Sequence, residues 1–191
     1  CGSELRLNQE GNRLVARLLL MRHAKSDWDH PNLADIDRPL NNRGIRNAAE
    51  MGIWLRDQNV APNLILVSPA CRARETVEQL LSGLGNPPPP IRTVEALYPG
   101  SPTGVLQALG SVSEAIATVL LVAHNPTLEI VVDMIGGKAE HFPTGAVADI
   151  EIPDRPWLNA LTDSVRFFGH CKLRQIWRPR ELFEDSDFKK R

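Results

Sequence analysis

Short apolar runs alternate along this chain with stretches in which apolar residues recur at helical spacing. The apolar runs predict strands over residues 14–21, 64–67, 91–94 and 118–123, and the helical spacing predicts helices over residues 44–55, 70–81, 102–109 and 125–134. Such alternation is typical of a mostly parallel sheet with helices on both faces. The pattern therefore predicts an α/β fold with three layers.

The end of the chain carries a different pattern. Apolar and polar residues alternate over residues 146–152, which predicts a strand at the edge of the sheet. A second strand over residues 165–177 would pair with it as an antiparallel hairpin, with residues 152–163 as a long loop between them. The charged residues 181–191 predict a frayed tail.

Length and charge limit the classes of protein to which this chain could belong. The 191 residues fit one domain, with a core over about residues 14–178 and flexible termini at 1–13 and 179–191. The net charge is -1 with both signs interspersed, so neither a nucleic-acid partner nor a membrane surface is expected, and no apolar run is long enough to predict a membrane span. Three cysteines without metal-type spacing favour a reducing compartment, and hence the cytoplasm. The chain begins at Cys1, so organelle targeting and export stay open alternatives.

Arginine and histidine residues follow three of the predicted strands at their carboxyl ends. Arg22 and His23 follow the first strand, Arg72 opens the helix after the second, and His124 follows the strand over residues 118–123. In a parallel sheet these ends meet at one edge, where open α/β folds bind their ligands. We therefore expect two arginines and two histidines to line one pocket.

This set of side chains suits a phosphoryl group. The planar guanidinium of arginine binds phosphate oxygens with two parallel hydrogen bonds. An unprotonated imidazole is a nucleophile near neutral pH, and a second, protonated imidazole stabilises the charge that gathers on the phosphoryl oxygens. The chemistry needs no metal ion or other cofactor.

The same residues carry a resemblance to a known family. Arg22-His23-Ala24 resembles the Arg-His-Gly signature of the histidine phosphatase superfamily, whose fold is phosphoglycerate mutase-like. The segments over residues 68–76 and 122–125 resemble the second arginine motif and the second histidine motif of that family. Residues 22–26, 38–44 and 142–146 are also similar, in order and spacing, to the short SixA-type phosphohistidine phosphatases. The resemblance runs from about residue 18 to residue 152.

The resemblance implies a role for each matching position. His23 would be the phosphorylated nucleophile, Arg22 and Arg72 would bind the phosphate, and His124 would be the second, charge-stabilising histidine. Arg72 occupies the motif position, and Arg74 would point about 200° away from it on the helix, so only Arg72 is expected in the pocket. Lys25 and Ser26 follow the nucleophile and Ala24 in sequence and could contact the substrate, with a solvated turn as the alternative.

Three positions leave questions open. Glu95 lies near the place where many members of the family carry the acid that protonates the leaving group, and a surface carboxylate at a strand end is the alternative. Ala24 replaces the motif glycine, which would be costly if the backbone there needed a positive φ. Asp29 stands where longer members often have a phosphate-binding asparagine, and a carboxylate would repel phosphate.

These residues predict a phosphatase that acts through a phosphohistidine intermediate and releases inorganic phosphate. The resemblance favours phosphohistidine on a protein as the substrate. A small phosphorylated metabolite, hydrolysed as a phosphomonoester, is the alternative within the enzyme class. A phosphate- or phosphoprotein-binding module without turnover is the alternative from another class, although such a module would not need a nucleophilic histidine.

Overall fold

A six-stranded sheet with helices on both faces forms the domain. The computed structural model describes residues 15–29, 32–138, 140–153, 157 and 159–184. The strands are β1 (Val15–Arg22), β2 (Leu64–Val67), β3 (Ile91–Thr93), β4 (Thr118–Ala123), β5 (Val147–Pro153) and β6 (Lys172–Trp177). The helices are α1 (Asn42–Asp57), α2 (Cys71–Leu84), α3 (Pro102–Gly110), α4 (Thr127–Gly136), α5 (Asn159–Thr162) and α6 (Ser164–His170). Two 3₁₀ turns (Asp35–Asp37 and Glu95–Leu97) and a π-helical turn (Arg180–Glu184) complete the elements.

The order of the strands confirms the predicted α/β class. The sheet runs β3-β2-β4-β1-β5-β6. The first four strands are parallel to one another, and β5 is antiparallel to both of its neighbours, β1 and β6, so β6 runs in the same direction as the first four. Met21 of β1 and Val67 of β2 both pair with Val122 of β4. The carboxyl ends of these three strands are therefore level with one another, so the residues that follow them meet at one edge of the sheet.

Apolar side chains of β1 point alternately into two cores. Leu18 and Leu20 pack with α3, α4, α5 and α6, while Leu19 and Met21 pack with α1 and α2 on the other face. All four side chains are fully buried, as expected for a central strand covered on both faces. No helix among the described residues is long and apolar enough to span a membrane.

The helices α1 and α2 lie close to each other because glycine forms part of their contact. A Cβ atom on Gly52 of α1 would stand 2.0 Å from the Leu80 carbonyl oxygen of α2, a distance that no folded backbone accommodates. This close contact fixes the position of α2, whose first turn carries Arg72.

The prediction for the last third of the chain was wrong in two respects. The strand β5 is not at the edge, because it pairs with β1 on one side and β6 on the other, and Asp149 is consequently buried. Residues 164–170 form the helix α6 rather than part of a strand, because the Asp163 side chain accepts a hydrogen bond from the Arg166 amide and caps that helix. The predicted loop over residues 152–163 contains α5.

The structure describes only some of the residues for which predictions were made at the two ends of the chain. Leu14, the predicted first residue of β1, and the tail over residues 185–191 lie outside them. Residues 181–184, which were predicted to be part of a frayed tail, belong to the π-helical turn.

Candidate active site

The four predicted arginine and histidine side chains meet at the carboxyl edge of the sheet. His23 and His124 are both almost fully buried, and their ring centroids lie 5.0 Å apart. The Arg72 Nε donates to His23 Nε2 over 3.3 Å. Arg22 is held at the same strand end, where its Nη1 donates to the Phe142 carbonyl over 3.0 Å.

One ring nitrogen of His23 is held by the backbone and the other faces the pocket. The Nδ1 atom lies 2.7 Å from the Ala24 carbonyl oxygen, which can only accept a hydrogen bond, so Nδ1 carries the proton. The Nε2 atom therefore has an unshared electron pair, which accepts the hydrogen bond from Arg72. Nε2 is therefore the nitrogen of His23 that could act as a nucleophile, because the hydrogen bond of Nδ1 to the backbone fixes the tautomer.

The local backbone around His23 is fixed from three sides. The His23 amide donates to the Ala123 carbonyl of β4, and the Gly145 amide donates to the Arg22 and His23 carbonyls. The Ala24 amide donates to Thr76 Oγ1 of α2 over 3.0 Å. Ala24 has no positive φ and is completely buried, so alanine fits where the family motif has glycine.

Asp35 occupies the outer nitrogens of Arg72. Its Oδ2 atom accepts from Arg72 Nη2 over 2.9 Å, and its backbone carbonyl accepts from Nη1. The Tyr98 hydroxyl donates to the same carboxylate oxygen over 3.1 Å. Partial burial would raise the pKa of Asp35, but the hydrogen bond and charge of Arg72 outweigh this effect and hold that pKa below its usual range. Asp35 is thus an ionised carboxylate beside the proposed phosphate-binding arginine.

The second histidine is oriented by a serine. Ser68 Oγ lies 2.7 Å from His124 Nε2 and accepts a weaker hydrogen bond from the Ala70 amide, so the hydroxyl proton is available to donate to His124. This assignment puts the ring proton of His124 on Nδ1. That nitrogen is buried and has no hydrogen-bond partner among the described residues, as is also true of Arg22 Nε.

Burial keeps both imidazoles neutral in the absence of a ligand. Desolvation is the main reason that the pKa of His23 falls to about 3; the hydrogen bond to Ala24 opposes this effect, and the nearby positive charges reinforce it. Desolvation, followed by the charge of Arg72, lowers the pKa of His124 to about 4. At neutral pH the pocket therefore holds two neutral imidazoles and two guanidinium groups.

The rim of the pocket is built on Arg38, in the segment that joins β1 to α1. Its guanidinium donates to Ser26 Oγ over 2.9 Å and to Asp35 Oδ1 over 3.0 Å. It also lies 3.4 Å from the ring centroid of Trp28, whose side chain is 71% exposed. Ser26, a candidate substrate contact, thus supports Arg38, while Lys25 is half-buried and its carbonyl accepts from the Asn41 amide.

Glu95 and Asp29 are exposed and do not join the four central side chains. The Glu95 side chain is exposed and makes no hydrogen bond or ion pair with the residues that the structure describes. Tyr98, three residues later, reaches the pocket instead, and its ring meets His124 edge-on with 5.7 Å between the ring centroids. Asp29 is exposed, and its amide donates to Asp27 Oδ1.

Sequence reasoning missed three residues of the site, namely Asp35, Ser68 and Tyr98. Ser68 directly follows β2 and could have been found by the same strand-end argument that identified His124. Asp35 lies in a 3₁₀ turn and Tyr98 directly follows the other one, and no periodic pattern marks either residue. Among the described residues, no group of three or more histidine, cysteine, aspartate or glutamate side chains could hold a metal ion.

Comparisons with known proteins identify the family of the chain. Residues 18–98 match the family model of the histidine phosphatase superfamily, branch 1. The chain is 38% identical over 143 residues to the uncharacterised protein MT1313 of Mycobacterium tuberculosis, an alignment that covers 69% of this chain and 87% of the relative. It is 31% identical over 144 residues to phosphohistidine phosphatase SixA of Escherichia coli, covering 72% of this chain and 86% of that protein.

The solved structures give the same result. The structure of the protein histidine phosphatase SixA complexed with tungstate superimposes with a TM-score of 0.72 and 25% identity, covering 87% of this chain and 99% of the other. The sequence motifs, the curated relatives and the solved structures therefore agree on the family and the fold. The chain belongs to branch 1 of the histidine phosphatase superfamily and is SixA-like in sequence and fold.

Proposed function

We propose that this protein is a phosphatase in which His23 Nε2 takes the phosphoryl group from the substrate. The observation that carries the proposal is the fixed tautomer of His23, with Nδ1 bonded to the Ala24 carbonyl and Nε2 facing Arg72. A buried, neutral imidazole needs no base to become a nucleophile.

Arg22 and Arg72 are the proposed binding groups for the phosphoryl oxygens. Two guanidinium groups offset the charge of a phosphoryl dianion in a pocket from which much of the water is excluded. Arg22 Nε and His124 Nδ1 are buried donors without a partner among the described residues, which costs free energy. A phosphoryl oxygen that accepts from these nitrogens would remove that cost.

His124 is proposed to gain its charge from the ligand. Its pKa is about 4 in the free protein, so it is neutral at pH 7. A phosphoryl dianion beside the ring favours the protonated form and raises that pKa. The resulting imidazolium would stabilise the equatorial oxygens in the transition state.

The reaction is proposed to take place in two balanced steps. In the first, the bond from Nε2 to phosphorus forms while the bond from phosphorus to the leaving group breaks, and the leaving group takes a proton from water. In the second, a water oxygen attacks phosphorus, the bond to Nε2 breaks, and the water proton passes to solvent or a nearby base. His23 returns to its starting tautomer, since Nδ1 stays bonded to the Ala24 carbonyl throughout.

Phosphohistidine on a protein is the proposed substrate. The SixA-like sequence supports this choice, and so does the placement of Glu95, which does not reach the central side chains. A departing imidazole is basic enough to be protonated with little help, whereas an alcohol leaving group depends strongly on a positioned acid. The site is therefore better suited to phosphohistidine than to a phosphomonoester.

A comparison of substrates tests the proposal. The wild-type protein is expected to release phosphate from a phosphohistidine-bearing phosphotransfer domain in the presence of EDTA, with a kcat/KM well above that for phosphosugars. The variant His23→Ala should lose this activity while keeping the fold, and His170→Ala, which removes an exposed histidine outside the pocket, is the matched control. Phosphate binding without turnover of any substrate by the wild-type protein would instead support a binding module.

A further inference from the structure

A second cavity opens beside the active site at the same edge of the sheet. It has a volume of about 420 Å³ and is lined by residues of α1, of the segment before β5 and of the segment after β6. Trp177 at the end of β6 is level with Val147 of β5, which pairs with Met21 at the end of β1. The part of the lining that follows β6 is thus two strands away from β1, or about 10 Å at the usual spacing of strands.

One wall of this cavity belongs to the same segment that holds the catalytic arginine. Pro143 and Thr144 line the cavity, while the Phe142 carbonyl accepts from Arg22 and the Gly145 amide donates to the Arg22 and His23 carbonyls. The two hollows are therefore separated by a single stretch of backbone, and a ligand group can enter the cavity while a phosphoryl group occupies the active site.

Positive charge predominates in the lining of the cavity. Arg43, Arg178 and Arg180 contribute three guanidinium groups, and Glu181 contributes one carboxylate. Arg178 is held by its hydrogen bonds to the His141 carbonyl and to Glu140 and by its ion pair with Glu181. Arg43 is exposed and forms no hydrogen bond or ion pair within the described part of the chain. Arg43 therefore gives the lining a positive charge that no carboxylate of the described residues compensates.

We infer that this cavity is a subsite for an acidic side chain of the phosphorylated protein, and this inference rests on the proposed function. The carboxylate would pair with Arg43 while the phosphohistidine of the same protein enters the active site. A helix rises 1.5 Å per residue, so a glutamate seven residues from the phosphohistidine lies about 10 Å away along a helical partner. This distance matches the spacing between the ends of β1 and β6.

Helical peptides test the inference directly. One peptide carries a hydrolysis-resistant phosphonate analogue of phosphohistidine with glutamates four and seven residues to either side, and a second has glutamine at those positions. At low salt, the wild-type protein is expected to bind the glutamate peptide about tenfold more tightly than the glutamine peptide, since exposed charge pairs contribute modestly and add up. The preference should shrink at high salt because the charges are screened.

Paired arginine variants identify the subsite. The double variant Arg43→Gln/Arg180→Gln is expected to reduce the tenfold preference to less than threefold. The double variant Arg46→Gln/Arg166→Gln removes the same net charge from exposed positions that do not line the cavity, and it should keep the preference. Inorganic phosphate, as a competitor, reports whether the active site of each variant is intact.

The outcomes separate this inference from the proposed function. Equal binding of the two peptides by the wild-type protein, or equal loss of preference in both double variants, overturns the subsite alone. If the wild-type protein binds inorganic phosphate but neither peptide, the protein substrate and the subsite are overturned together.

Discussion

Lowering the pH from 7 to 5 is expected to destabilise the free protein through its two active-site histidines. The imidazoles have pKa values of about 3 for His23 and about 4 for His124 when folded, against about 6.5 when unfolded. The unfolded chain therefore binds more protons than the folded one throughout this range. Stability is fully present above about pH 6.5 and is lost as the pH falls towards the folded pKa values.

The size of the effect follows from these values. A pH of 5 lies about 1.5 units below the pKa of a histidine in the unfolded chain. Protonation therefore stabilises the unfolded state by about 1.4 kcal/mol for each of these units at each histidine. Each ring thus costs about 2 kcal/mol between pH 7 and pH 5, and the pair costs about 4 kcal/mol. A typical domain is stable by roughly 5–15 kcal/mol, so this loss is a large part of its free energy of unfolding.

Urea unfolding at the two pH values, followed by circular dichroism, measures this loss. Between pH 7 and pH 5, the free energy of unfolding should fall by about 4 kcal/mol less in the double variant His23→Asn/His124→Asn than in the wild type. Only this change with pH is compared, so a difference in stability at pH 7 does not affect the test. The variant His170→Asn removes an exposed ring and controls for the loss of a histidine as such. Equal losses in the wild type and the double variant would refute the conclusion that burial holds these imidazoles neutral.

Two further substitutions test the site and the fold. Asp35→Asn removes a negative charge beside Arg72, so isothermal titration should show about three- to tenfold tighter binding of inorganic phosphate, whereas Asp37→Asn, in the same 3₁₀ turn, should change it less. Weaker binding by Asp35→Asn would show that orienting Arg72 is its dominant effect. Gly52→Ala should lower the free energy of unfolding by about 3 kcal/mol through the clash with α2, while Gly169→Ala, with open space around it, should change it by less than about 1 kcal/mol in urea unfolding.

The sequence predicts the central strands and the four central side chains because both depend on local patterns. An unbroken apolar run such as β4 has few alternatives to a buried strand, and the predicted bounds of that strand agree with the structure. The parallel arrangement then brings Arg22, His23, Arg72 and His124 to one edge. Their convergence follows from topology rather than from any contact that a sequence shows.

The rest of the molecule depends on contacts between distant segments. Residues 165–170 have an apolar content that fits a strand, and only the Asp163 cap shows that they begin a helix. Asp35 and Tyr98 are 63 residues apart, and their hydrogen bond exists because two irregular segments fold over the same arginine. Irregular segments carry no hydrophobic period, so the side chains that complete the pocket could not be predicted from the pattern.

Mapping the phosphorylated residue tests the central claim most directly. The protein is mixed with a phosphohistidine substrate in the presence of EDTA, quenched in alkali, since phosphohistidine is unstable in acid, and analysed by peptide mass spectrometry. We predict a phosphoryl group on His23 in the wild type and none in His23→Ala. A phosphoryl group on any other residue, or turnover by His23→Ala at the wild-type rate, would contradict the account.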